Sequence, residues 1–136
     1  MTSVGFADTI NPLAGFEVAH GYKVGGGAYF TETEEAFPLV NVTDGCSVSY
    51  RYIDFSGQKE WTLELEGTFF ESGETVVYIN DREVAGLKFA KGDTKLASTL
   101  QLKACTESDK EKADLRMEFR GETSEVLLQL DKIRFS

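Results

Sequence analysis

The chain is predicted to fold as an all-β sandwich or barrel, and three observations predict it. Short segments throughout alternate apolar and polar residues, the pattern of strands with one dry face. No window of about a dozen residues sustains the i, i+3, i+4 apolar spacing of an amphipathic helix. The two prolines, Pro12 and Pro38, both fall outside the alternating segments, as ladder hydrogen bonding requires.

The stretch Asn41–Gly57 places the others. Thr43-Asp44-Gly45 is turn chemistry, because Gly tolerates positive φ and Asp bonds its own backbone. Val48, Tyr50 and Tyr52 then alternate with Ser47, Ser49 and Arg51, so Tyr50 and Tyr52 are expected to share one strand face. Ser56-Gly57 turns the chain again. Before this stretch, Met1–Pro12 is weakly patterned and Phe16–Ala19 is a short strand candidate. The glycine-rich segment Gly21–Gly27 lacks the Gly-Lys-Ser/Thr and following helix of a phosphate loop, so it is expected to be a flexible loop. With Thr31–Glu35 and Phe37-Pro38 it makes a long irregular region, the kind that lines binding faces. After it, Trp61, Leu63 and Leu65 alternate with Thr62, Glu64 and Glu66, which puts Trp61 on the core side. Gly67–Gly73 reads as a loop holding Phe69 and Phe70. Thr75–Ile79 and Glu83–Phe89 read as strands joined by Asn80-Asp81. Lys91-Gly92-Asp93 is a turn, Leu100–Ala104 a strand, Thr106–Lys112 a charged loop, Leu115–Phe119 a strand, and Val126–Phe135 the closing strand.

The 136 residues suggest a single domain, 1–136, large enough to bury a core without staples. A net charge of −9 repels phosphate backbones and argues against a nucleic-acid partner. No long apolar run is present, so no membrane span is expected. The opening residues lack the basic and apolar regions of a secretory signal. Cys46 and Cys105 stand in no Cys-x-x-Cys pair; they are expected to be structural, as thiols or as one disulfide. His20 is the only histidine, which removes multi-histidine metal sites, and no Gly-x-Ser-x-Gly elbow occurs. The residues offer no catalytic constellation, so the chain is not expected to be an enzyme on its own.

Three motifs, in order, carry a family likeness. They are Ile10-Asn11-Pro12-Leu13 followed by Phe16-Glu17-Val18-Ala19; Asp44-Gly45-Cys46-Ser47-Val48 followed by Tyr52-Ile53-Asp54-Phe55; and Gln129-Leu130-Asp131-Lys132-Ile133-Arg134-Phe135. From Ile10 to Phe135 the chain resembles a family 6 carbohydrate-binding module, of the kind appended to family 43 glycoside hydrolases. The resemblance implies a two-sheet jelly roll and non-catalytic binding of a plant cell-wall polysaccharide of the xylan class. It implies an extracellular setting beside an attached hydrolase, and often a structural calcium. An accessory domain packed on a hydrolase without sugar affinity of its own is the alternative. Nothing in the sequence suggests an obligate oligomer, so a monomer is expected.

The resemblance maps calcium onto Glu17 and Asp131, where carboxylates from the two ends of the chain would staple the terminal strands through one hard cation. Ala19 stands where the family has a second acidic residue, and hydrogen bonds or lysine contacts are the other roles open to Glu17 and Asp131. The family holds a sugar between a Tyr and a Trp in a cleft between loops. Here Ser47 replaces the first aromatic, and Lys91–Ser98 contains none. The candidate ligand residues are therefore Tyr29, Phe37, Asn41 and Gln129, with Tyr22, Phe30, Phe69 and Phe70 as further loop aromatics.

Overall fold

The alternating segments form ten strands: β1 (Lys23–Gly25), β2 (Tyr29–Phe30), β3 (Leu39–Val42), β4 (Ser47–Ile53), β5 (Thr62–Phe69), β6 (Gly73–Ile79), β7 (Arg82–Phe89), β8 (Lys95–Thr99), β9 (Ala113–Gly121) and β10 (Leu128–Phe135). The computed structural model describes residues 11–13, 18, 21, 23–33, 37–102 and 110–136. Two five-stranded sheets result, ordered β1–β4–β9–β6–β7 and β2–β3–β10–β5–β8, and every pairing is antiparallel. Their inner faces make one core, as a sandwich requires. Leu63, Leu65, Phe69, Leu128, Leu130 and Ile133 of one sheet and Val48, Tyr50, Val77, Leu115, Met117 and Phe119 of the other are buried in it.

Aromatic packing closes the corner between β4 and β5. Trp61 is 1% exposed, and its ring meets Phe55 edge-on at 5.4 Å and Phe135 at 6.5 Å. Its indole N–H donates to the carbonyls of Phe55 (2.9 Å) and Gln58 (3.1 Å), so the one polar atom of the ring is satisfied. Trp61 is thus a core residue, as its alternation predicts. Tyr50 is buried too, and its hydroxyl donates to the Val18 carbonyl at 2.7 Å. Burial pushes the Tyr50 phenol well above its ordinary pKa and keeps it a donor.

Because each strand reverses the last, the connections at 26–28, 43–46, 70–72, 90–94 and 122–127 collect at one end, and each crosses from one sheet to the other. Hydrogen bonds tie these connections together. Cys46 is a buried free thiol that donates from Sγ to the Gly26 carbonyl (3.1 Å) and accepts from the Thr43 N–H (3.3 Å). The Gly121 N–H donates to Asp44 Oδ1 (3.1 Å), and the Phe70 N–H to the Leu127 carbonyl (2.7 Å). Cys105 and the strand expected at Phe16–Ala19, apart from buried Val18, lie outside the described residues.

Four expectations are corrected. The region before Asn41 is not irregular: it contains β1 and β2, short edge strands held by β4 and β3. Phe69 is not in a loop, because β5 runs on through Gly67 to a buried Phe69 whose ring lies 5.0 Å from Phe89. The strand expected at Leu100–Ala104 starts earlier, at Lys95–Thr99; it is an edge strand with one large apolar residue, Leu96, so its pattern is faint. Tyr50 and Tyr52 do not share a face. The register slips between Tyr50 and Ile53, Tyr52 takes φ +61, and its side chain is 46% exposed. This is a β-bulge, where two residues oppose one and the alternation resets.

Two residues make the packing testable. A Cβ on Gly67 would fall on the Gln129 carbonyl oxygen across the β5–β10 pair. Gly67→Ala is expected to lower unfolding free energy by about 3 kcal/mol in urea titration. Thr75 is fully buried between Leu87 and Phe119, and its hydroxyl has no hydrogen-bond partner. Thr75→Val keeps the shape and removes the unpaired group, so the same titration is expected to show a gain of about 1 kcal/mol.

Candidate ligand-binding face

The outer face of the β2–β3–β10–β5–β8 sheet carries three of the candidate residues, and backbone irregularity is what assembles them. Leu39 pairs with Leu130 and Val42 with Leu128, so Val40 and Asn41 together oppose the single residue Gln129. Asn41 is the residue that takes the left-handed conformation, with φ +58. Tyr29 pairs with Val40 on one side, and Gln129 pairs with Thr68 on the other. A row therefore runs Tyr29, Val40 and Asn41, Gln129, Thr68 across four strands, about 14 Å at the usual 4.8 Å strand spacing.

Neighbours hold the two amides of the row. Tyr29 sits on the edge strand and is 56% exposed, the largest exposure among the described aromatics. The Asn41 amide donates from Nδ2 to the Gly27 carbonyl at 3.0 Å. The Gln129 amide donates from Nε2 to Asp131 Oδ1 at 2.9 Å. Asp131 itself sits where β10 slips by one residue against β5, between the Leu130–Gly67 and Lys132–Glu66 pairs. One register step further along the sheet, Lys95 and Lys132 each approach the Glu66 carboxylate to 3.8 Å.

Phe37 is not in this row. It is 48% exposed, but it lies beyond the Phe30–Leu39 pair, toward the end of the sandwich opposite the five crossing connections. Phe30 is half-buried and packs against the core, and Tyr22 lies outside the described residues. At the end with the crossing connections, Phe70 is 42% exposed beside the 122–127 connection. Next to that connection is an open depression lined by Thr43, Asp44, Gly121, Glu122, Thr123 and Ser124. Ser47 and the 91–98 segment bring no aromatic side chain to this end.

The outer face of the other sheet carries a network of charges around Tyr78. Arg116 donates to Asp81 Oδ1 (2.6 Å) and lies 3.3 Å from Glu118; Arg120 reaches Glu118 at 3.1 Å and the Tyr78 hydroxyl at 3.2 Å. The Arg116 guanidinium covers the Tyr78 ring at 4.4 Å. The hydrogen bond to Asp81 raises the Arg116 pKa, and the hydrogen bond to Glu118 raises that of Arg120. A ring already covered by a guanidinium is a poor platform for a ligand.

For a cation, Asp131 supplies one carboxylate, already hydrogen-bonded to Gln129, and Glu17 lies outside the described residues. Among the described residues no three His, Cys, Asp or Glu side chains gather as a ligand set. The residues that sequence inspection missed are Val40 and Thr68. Thr68 was hidden by reading Gly67–Gly73 as a loop. The alternation Leu63, Leu65, Gly67, Phe69 carries the strand through it, with glycine in an inward position.

No protein-family model matches the sequence, and no curated protein matches it. Solved structures do match. A family 6 carbohydrate-binding module from Clostridium cellulolyticum in complex with xylose aligns with TM-score 0.76 at 18% identity, over 93% of this chain and 99% of that one. A β-1,3-glucan-binding family 6 module from Bacillus halodurans aligns with TM-score 0.75 at 14% identity, over 94% and 98%. A family 43 arabinoxylan arabinofuranohydrolase from Bacillus subtilis, in complex with cellotetraose, aligns with TM-score 0.69 at 12% identity, over 94% of this chain and 28% of that one. At such identities the likeness is one of architecture: the chain has the β-sandwich fold of the family 6 carbohydrate-binding modules.

Proposed function

We propose that this chain is a non-catalytic carbohydrate-binding module that holds a plant cell-wall polysaccharide of the xylan class for an attached, extracellular glycoside hydrolase. The observation that carries this is the row of Tyr29, Asn41 and Gln129 on three adjacent strands. An exposed aromatic ring stacks on the apolar face of a pyranose, and amides beside it bond hydroxyls. An open row across strands suits the interior of a polymer chain. The fold shared with a module bound to xylose supports the xylan class, and the alignment to part of a family 43 enzyme supports the attached hydrolase.

One observation favours a second reading. The end with the crossing connections lacks both aromatics of the family's usual cleft. A domain that packs on a hydrolase and has no affinity of its own would need neither.

Titration of the intact chain with soluble xylan and xylo-oligosaccharides decides between them. Binding is expected, with Tyr29→Ala weakening it at least tenfold, or about 1.4 kcal/mol. Phe37→Ala, outside the row, is expected to cost less. No heat from a folded protein across xylan, arabinoxylan and mixed-linkage glucan would leave the packing domain.

Calcium is part of the proposal, with Asp131 and Glu17 as its carboxylates and a structural role between the chain ends. Adding millimolar calcium is then expected to raise the melting temperature, and chelator to reverse it. Asp131→Asn should remove the response, and a melting curve indifferent to calcium would exclude the site.

A further inference from the structure

The row of Tyr29, Val40 and Asn41, Gln129 and Thr68 occupies a single register level of its sheet. What lies on either side of that level differs. Toward the crossing connections the strands stop: β3 ends at Val42, β5 ends at Phe69 and β10 begins at Leu128, each one residue beyond the row. In the other direction the next outward side chains on β8, β5 and β10 are Lys95, Glu66 and Lys132, and both ammonium groups lie 3.8 Å from the one carboxylate. Across the strands, no further strand among the described residues closes the row at either end. Tyr29 lies on β2, which pairs with β3 alone, and β8 has stopped at the Glu66–Lys95 pair. The backbone on both sides of Thr68 is tied instead to the 90–94 connection. The Gly67 N–H donates to the Thr94 carbonyl (3.0 Å), and the Phe69 carbonyl accepts from the Gly92 N–H (3.0 Å).

A sugar chain laid along the strands would leave this level within about one ring, and meet either the charged cluster or the strand ends. Laid across them, it meets an aromatic ring, two amides and a hydroxyl in succession. The usual strand spacing of about 4.8 Å is close to the rise of one pyranose along an extended β-1,4-linked chain, so four strands match a segment of about four rings. We infer, resting on the glycan-binding reading above, that the bound chain runs across the strands from Tyr29 to Thr68, and that Thr68 sets the preferred chain length. Its side chain is exposed, and its hydroxyl both donates and accepts, so it can meet the last ring of the segment. Oligosaccharides too short to reach from Tyr29 to Thr68 forgo that contact, whereas stacking on Tyr29 is common to all lengths.

Calorimetric titration of the intact chain with xylobiose, xylotetraose and xylohexaose tests this. Xylotetraose is expected to bind at least about tenfold tighter than xylobiose, and xylohexaose within about fivefold of xylotetraose, because the extra rings add registers and no contacts. Thr68→Val keeps the branched shape and removes the hydroxyl. It is expected to weaken xylotetraose by about threefold or more while leaving xylobiose and the melting temperature unchanged. Lys132→Gln, which a chain running along β10 would feel, is expected to change neither sugar. A loss in Lys132→Gln with none in Thr68→Val would overturn the inference. So would equal affinity for xylobiose and xylotetraose, or a further rise of about tenfold from xylotetraose to xylohexaose. Each of these leaves glycan binding at the row standing, provided Tyr29→Ala weakens it. Silence toward all three sugars from a folded chain would overturn the glycan-binding reading and this inference together.

Discussion

Two sheets that share one dry interior impose a single rule on every strand: alternate side chains must be apolar, and their neighbours must tolerate water. The interior is filled accordingly. Leu63 and Leu65, Leu128 and Leu130, and Leu115, Met117 and Phe119 all obey the rule. So does the outer face, where Glu64, Glu66, Lys132 and Arg134 line up across β5 and β10. The rule is enforced strongly because a slip of one residue would send a whole hydrophobic set into solvent.

The rule is suspended at four places, one of them Val84 in β7, and the other three bear on what the surface can do. At Val40-Asn41, at Arg51-Tyr52 and at Asp131, the ladder slips by one residue. The first slip brings an amide beside Gln129. The second turns Tyr52 out of the core. The third sets Asp131 beside Gln129, where it takes the amide hydrogen. Gly67 belongs to the same arrangement, since only a residue without Cβ lets the Gln129 carbonyl pass so close. Bulges occur where a strand must re-aim a side chain, and here two of them flank the candidate face.

The two outer faces contrast in a way that bears on function. One carries a charge network in which arginines, glutamate, aspartate and Tyr78 contact one another. The other leaves an exposed tyrosine and two half-used amides on adjacent strands. Neutral, hydroxyl-rich ligands fit the second far better, and the acidity of the whole molecule makes no demand on them. Among the described residues, the end with the crossing connections offers Phe70 and a polar depression.

What the sequence by itself determined is whatever follows from period two. The all-β class, the core role of Trp61, the turn at Asn80-Asp81 and the strands around Leu115–Phe119 were all legible, because burial writes alternation directly into residue order. The absence of aromatics at Ser47 and Lys91–Ser98 was legible too, and it moved attention to Tyr29, Asn41 and Gln129. Tertiary structure alone decided that these three stand together, that Phe37 stands apart, that Tyr52 faces water and that Thr68 completes the row. Bulges and edge strands are the physical reason. An extra residue in a ladder leaves no mark on local composition, and an edge strand such as Lys95–Thr99 buries too little to show a pattern. Both are settled by which strand lies alongside, and that is a contact between residues far apart in the chain.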